Sequence, residues 1–214
     1  MLPASTGRVC QNPCDDRCRR INLDAAVNMR DVHRYIADCM YNSSRYPAMI
    51  EKIVARKLAP TGKKVAIVGA GPTGLTCAFY LALLGHDVTI YESNPAAGGM
   101  LRYALPEYRL PTDVLDKELQ LIEALGVKFE FNTAIGLDVS LNDLDAQYDA
   151  VFLAIGTWKE SWVYIPGTEL KGVMPALLFL EAVAKNEPVK IGKKVVVIGG
   201  GNAAIDSART ALRM

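Results

Sequence analysis

Two apolar runs in this chain each break into a glycine-rich turn, and that arrangement restricts the fold to βα units that present backbone to a phosphate. The first reads Lys64-Val-Ala-Ile-Val-Gly69-Ala70-Gly71-Pro72-Thr73-Gly74, and the second Lys194-Val-Val-Val-Ile-Gly199-Gly200-Gly201-Asn202-Ala203-Ala204. Continuous apolar runs such as Val65 to Val68 and Val195 to Ile198 are the pattern of a buried parallel strand. The first glycine of each motif permits a tight turn, the second admits a pyrophosphate close to backbone, and the third lets helix pack on strand. The helix start then offers unpaired N–H groups and the positive end of its dipole.

In the first motif Pro72 falls at the helix start, where a missing N–H costs little. Leu75, Ala78, Phe79, Ala82 and Leu83 continue an apolar helical face, and Gly85 ends it. Asp87 to Tyr91 reads as the next strand and is followed by Glu92, 18 positions beyond Gly74, where a carboxylate meets the ribose of an adenine nucleotide. In the second motif Ala204 replaces the third glycine, and a helix runs through Ile205, Ala208 and Ala211 to the final residue, Met214. A ribose-edge residue for the second site would lie further on, so NAD and NADP are not distinguished. With 130 positions between Gly69 and Gly199, the two motifs are a domain apart and predict two dinucleotides brought together for electron transfer.

The 214 residues suffice for one good core or two small ones, and a hydrophobic content of 50% argues against disorder. A net charge of +1 gives no electrostatic case for nucleic acid or an anionic membrane. No apolar stretch approaches the roughly 20 residues of a membrane span. Met1 to Gly7 lacks the basic start and apolar centre of a signal peptide, so a cytoplasmic location is expected.

Three segments are expected: a helical one over 1–60, a first nucleotide domain over 61–165 and the start of a second over 166–214. Val27, Met29, Val32, Ile36 and Met40 share one helical face in the first segment, and Ile50, Ile53, Val54 and Leu58 another. Ala59-Pro60-Thr61-Gly62 is a breaker cluster. Thr112 is placed to cap a helix carrying Leu115, Leu119, Ile122 and Leu125, with Gly126 ending it. Val127, Phe129 and Phe131 alternate as in a half-buried strand, and Asp149 to Ile155 reads as a buried one closing on Gly156-Thr157. A helix is expected over Ala176 to Ala184 before the strand at Lys194.

Cys10, Cys14 and Cys18 form a C-x3-C-x3-C group among five cysteines. An odd count in a chain of this kind does not suggest a disulfide framework. Bunched thiolates suit zinc or an iron–sulfur cluster, but the spacing differs from the usual zinc pairs and three ligands are one short of four. Three incidental thiols are the alternative. Cys39 and Cys77 read as packing residues. His33 is the one imidazole near the cysteine segment, and His86 falls in a turn.

These residues resemble the small (beta) subunit family of glutamate synthase and its relatives, the amino-terminal region of dihydropyrimidine dehydrogenase and the large subunit of NADH-dependent ferredoxin:NADP oxidoreductase. The resemblance rests on Gly7-Arg8-Val9-Cys10 with Cys14 and Cys18, on Val68 to Gly74, on Gly98 to Tyr103 with Leu105 to Pro111, and on Gly199 to Asp206. It implies an α/β fold of two Rossmann-like dinucleotide domains, the second truncated, behind a small helical iron–sulfur domain. It implies FAD in the first site, with Gly69, Ala70, Gly71 and Gly74 at the pyrophosphate and Glu92 at the ribose. Gly99, Met100 and Arg109 would border the flavin, Ile135 the adenine, and Gly156 and Thr157 the closing strand.

By the same resemblance NAD(P)H would meet Gly199, Gly200, Gly201, Asn202 and Ala203, and the cysteines would ligate one or two 4Fe-4S clusters, with His33 a candidate for a missing ligand. Family members carry further cysteines upstream, so the chain reads as a fragment. Its implied partner is a larger catalytic subunit or electron-acceptor protein. No acid, base or nucleophile is expected to be catalytic, because the cofactor carries the chemistry. The alternatives are a nucleotide-binding fragment without turnover, a related two-dinucleotide flavoprotein lacking a cluster, and a flavin monooxygenase sharing the first site. A thioredoxin reductase type would need a C-x-x-C, which is absent.

Overall fold

A computed structural model describes residues 1–159 and 165–214. Helix α1 (Pro3–Val9) leads into two short 3-10 turns, Asp15–Arg17 and Arg19–Asn22, then α2 (Met29–Tyr41) and α3 (Tyr46–Val54). The first glycine motif follows, in the order β1 (Lys64–Val68), α4 (Pro72–Leu83), β2 (Asp87–Tyr91), α5 (Met100–Tyr103), α6 (Thr112–Ala124), β3 (Lys128–Glu130), α7 (Leu141–Gln147) and β4 (Ala150–Leu153). Two more helices complete the described chain, α8 (Ala176–Ala184) and α9 (Asn202–Arg213).

The strands form one parallel sheet in the order β3-β2-β1-β4. Strands β2 and β3 are added on one side of β1 and β4 on the other, with Val68 opposite both Tyr91 and Leu153. The winding direction therefore reverses at β1, and the crevice beyond its carboxyl end is the topological switch point where such sheets take ligands.

Alternation along β1 divides the core. Val65 and Ile67 face a layer containing Leu75, Ala78, Leu115 and Ile122 of α4 and α6, while Ala66 and Val68 face Leu144 of α7. Ile67, Leu75, Ile90, Leu115 and Ile122 are fully buried, as helical and strand spacing predict. Leu2, Ala4 and Ala37 belong to the same cluster, so the helical segment and the sheet share one core. The contact of α1 with α2 is close at Gly7, where a Cβ would come within 2.6 Å of the Arg34 backbone nitrogen.

Several expectations are corrected. Thr112 begins α6 rather than capping it; Pro111 occupies the cap position and makes no side-chain cap bond. The face of α2 bearing Met29, Val32 and Ile36 is exposed, because α1 approaches α2 through the small residues Gly7 and Ala37 instead. Strand β4 is an edge strand, so Phe152 and Leu153 are exposed rather than buried. Among the described residues Val195 to Ile198 form no strand: no neighbouring strand supplies a ladder, and Val196 and Ile198 are exposed. Cys39 is exposed beside Tyr35 rather than packed in the core, whereas half-buried Cys77 lies against the core. The helix expected over Ala176 to Ala184 forms with those bounds. Among the described residues no helix is long and apolar enough to cross a membrane.

Candidate dinucleotide-binding site

The first glycine motif builds a cleft of about 320 Å³ at the carboxyl ends of β1, β2 and β4. Its shape depends on missing side chains. Gly69 has a φ of +105°, and a Cβ there would lie 2.4 Å from the Ala154 carbonyl oxygen, so only glycine lets β1 leave the sheet beside β4. A Cβ on Gly74 would fall 2.0 Å from the Gly69 carbonyl oxygen, which sets the close seating of α4 on the turn. Gly71, the N-cap of α4, meets only the Gly99 Cα at 4.0 Å from its would-be Cβ, leaving the mouth open to a ligand.

Pro72 and Thr73 open α4, whose first-turn N–H groups lack intrahelical acceptors and face the cleft where an anion is favoured. Glu92, buried at the end of β2, accepts from the Ala70 N–H through Oε2 at 2.8 Å. Its Oε1 accepts from the Asn94 N–H at 2.9 Å and Asn94 Nδ2 at 3.0 Å. This carboxylate thus pins the glycine loop as well as lining the cleft.

Gly69, Gly71, Glu92, Gly99, Met100, Ile135 and Gly156 all line the cleft, while Ala70 and Gly74 support it from behind. Ile155, at the end of the expected closing strand, also lines it, as do Thr133 and Trp158, which no local sequence signal marks. Thr157 and Arg109 are not among its lining residues. Arg109 instead forms an ion pair with Asp206 on α9.

Gly199 to Ala203 lie apart from this cleft, at the start of α9. Gly199 has a φ of +132°, and Gly200 and Gly201 have open space where a Cβ would stand. This turn precedes α9 without the strand expected before it among the described residues.

The cysteine segment is organised by Asn12, whose left-handed φ of 60° turns the chain after Cys10. Its Nδ2 donates to Asp15 Oδ2 at 2.8 Å and Asn28 Oδ1 at 3.0 Å, and its backbone N–H points at Cys10 Sγ at 3.4 Å. Backbone N–H groups of Val27 and Arg20 hold the Cys18 thiol below its ordinary pKa. Such donors suit thiolate ligands, so the donor chemistry fits sulfur-bound metal. Cys10, Cys14, Cys18 and exposed His33 are nonetheless not gathered into a metal-holding group among the described residues. His86 Nδ1 bonds Thr61 Oγ1 at 2.8 Å, a turn contact.

Comparison with known proteins agrees with this architecture. The family model described as "Pyridine nucleotide-disulphide oxidoreductase" matches residues 63–214. The NADP(+)-dependent formate dehydrogenase subunit beta of Moorella thermoacetica is 41% identical over 99% of this chain and 32% of its own length. The glutamate synthase [NADPH] small chain of Escherichia coli is 36% identical over 99% of this chain and 46% of its own. The chain thus spans 32% to 46% of the length of these relatives. Mycobacterium tuberculosis FprA, solved in complex with NADPH, superposes with a TM-score of 0.58 at 29% identity, covering 69% of this chain and 36% of that one. With a parallel sheet, a glycine cradle at its switch point and a family model spanning most of its length, the chain belongs to the pyridine nucleotide-disulphide oxidoreductase family.

Proposed function

We propose that the chain is the nucleotide-binding portion of a flavin-dependent NAD(P)H oxidoreductase of the glutamate synthase small-subunit kind. The observation that carries this reading is the convergence of Gly69, Gly71, Gly99 and Glu92 on one cleft at the switch point of the sheet. Those residues fit FAD. Gly71 leaves the approach to backbone open, the start of α4 favours the pyrophosphate, and Glu92 Oε2 retains a lone pair for a ribose hydroxyl. Ile135 and Thr133 flank the adenine end, and Met100 with Gly99 borders the flavin. The chemistry that bound FAD would supply is hydride acceptance from NAD(P)H and single-electron release.

The chain's own residues bind, orient and exclude water; no side chain is required as acid, base or nucleophile. Gly199 to Ala203 supply the N–H groups for the nicotinamide nucleotide. Cys10, Cys14 and Cys18, with His33 as the fourth candidate, would be the ligands of an iron–sulfur centre, which would supply single-electron transfer toward a larger catalytic subunit or acceptor protein.

A second reading is favoured by the exposed, unladdered Val195 to Ile198: this stretch binds nucleotide without turnover. Titration with FAD, followed by NADPH under anaerobic conditions, separates them. A protein that retains flavin and bleaches its visible absorbance with NADPH supports the oxidoreductase. Flavin retained without bleaching supports the second reading, and a folded protein that takes up no flavin overturns both.

A further inference from the structure

Helix α9 is docked against the expected grain of its sequence. Its inward face carries Asp206, Ser207 and Thr210, all buried, while Ile205 and Leu212 point outward. Among the described residues Ser207 Oγ has no hydrogen-bond partner, and Thr210 neighbours the Tyr108 hydroxyl. The buried residues of α9 are thus polar. Helix α8 packs along α9, and the ionic and aromatic contacts to α9 come from the segment Pro106 to Pro111. Asp206 is only 3% exposed, and a carboxylate so buried requires a partner. Arg109 supplies the ion pair, and the Tyr108 hydroxyl donates to Asp206 Oδ1 at 3.2 Å. The Tyr108 ring in turn is covered by Arg209 and Arg213, whose guanidinium carbons lie 4.4 and 4.2 Å from its centroid.

We infer that Arg109, Tyr108 and Asp206 form a positioning clasp that sets the second glycine cradle against the first. Asp206 stands one helical turn beyond Asn202, the first residue of α9, so the clasp fixes the turn Gly199 to Gly201 directly. At its other end, the Pro106 to Pro111 segment follows α5, whose N-cap Gly99 faces Gly71 across the mouth of the first cleft. One short run of chain thereby joins the two nucleotide-facing turns. This role rests on the proposed function only in what the cradles hold; the docking of α9 is independent of it.

The test uses the full chain with Asp206→Asn, Tyr108→Phe and the exchange R109D/D206R. Amide hydrogen exchange across 202–213 is the first readout, with β1 and β2 as the folding control, and NADP+ affinity the second. Asp206→Asn is expected to speed exchange in α9 at least tenfold and to weaken NADP+ by a similar factor while β1, β2 and FAD affinity stay unchanged. Tyr108→Phe shifts both in the same direction by less, and the exchanged pair restores slower exchange than Asp206→Asn alone. Unchanged α9 exchange in Asp206→Asn, or an exchanged pair no slower than it, overturns the clasp. A wild-type chain that ignores NADP+ defeats the functional reading instead and leaves the exchange arm to decide the docking.

Discussion

Ala70 donates its backbone N–H to Glu92 Oε2 at 2.8 Å, joining the middle of the glycine turn to the end of the neighbouring strand. The acid that closes the nucleotide fingerprint is thus also a structural tie for the turn that would hold the phosphates. Hydrogen bonds to a charged group contribute about 1.5–3 kcal/mol. Glu92→Ala is expected to weaken FAD roughly 10- to 100-fold, and Glu92→Gln less, because an amide oxygen can still accept from Ala70. Flavin fluorescence titration checks the order; equal losses for the two variants would remove the tie.

The two central glycines predict opposite outcomes. At Gly74 a Cβ would sit 2.0 Å from the Gly69 carbonyl oxygen, so Gly74→Ala must part α4 from β1 and lower stability by an overpacking cost of about 1–3 kcal/mol. At Gly71 a side chain enters open space, so Gly71→Val keeps the fold and obstructs the phosphate approach. Urea unfolding and flavin absorbance separate them: Gly74→Ala loses stability first, while Gly71→Val loses flavin with near-native stability.

The residues that could be read from sequence are those whose signal is local. Strand β1, the turn at Gly69, helix α4 and Glu92 lie within one continuous βα unit, where apolar run, glycine spacing and acid all depend on near neighbours. Helix α8 matched for the same reason. What escaped depends on partners distant in sequence. The apolar stripe on α2 is periodic, yet α1 meets α2 through Gly7 and Ala37, which no periodicity marks. The run at Val195 has the composition of a strand but no ladder among the described residues, because a strand is completed by its neighbours. The clasp at Asp206 joins residues 97 positions apart. Glu118 carried a usable signal: a carboxylate within the apolar stripe of Leu115, Leu119 and Ile122.

Glu118 is 1% exposed and receives the Ala4 N–H at 2.7 Å, the Ser5 N–H at 3.2 Å, the Ser5 hydroxyl and the Tyr41 hydroxyl at 3.4 Å. It caps α1 from α6, and through α1 anchors the segment that carries Cys10. Burial pushes its carboxyl pKa above the ordinary 4.5, with the donors from Ser5, Ala4 and Tyr41 opposing that shift. Between 4.5 and its raised value the folded state holds a proton that the unfolded state has lost, so stability falls as pH rises through that window. Glu118→Gln, which does not titrate, is expected to lack this decline when urea midpoints are followed upward from pH 4.5. Glu118→Ala leaves buried donors unpaired and is expected to cost about 1–3 kcal/mol and to expose α1 to protease.

The cysteines give a chemical test of the metal reading that needs no turnover. Cys10, Cys14 and Cys39 are exposed, whereas Cys77 is half-buried and burial raises its thiol pKa, lowering the thiolate fraction that alkylating agents attack. In metal-free protein, iodoacetamide at neutral pH is therefore expected to label Cys10, Cys14 and Cys39 well before Cys77, as read by peptide mass spectrometry. Reconstitution with iron and sulfide should then protect Cys10, Cys14 and Cys18 together and leave Cys39 as reactive as before, since Cys39 lies outside the loop that Asn12 organises. Partial protection that disappears in His33→Ala would give the imidazole the fourth position. Equal labelling with and without iron would reduce the three thiols to surface residues, leaving the flavin cleft intact but without an outlet for single electrons.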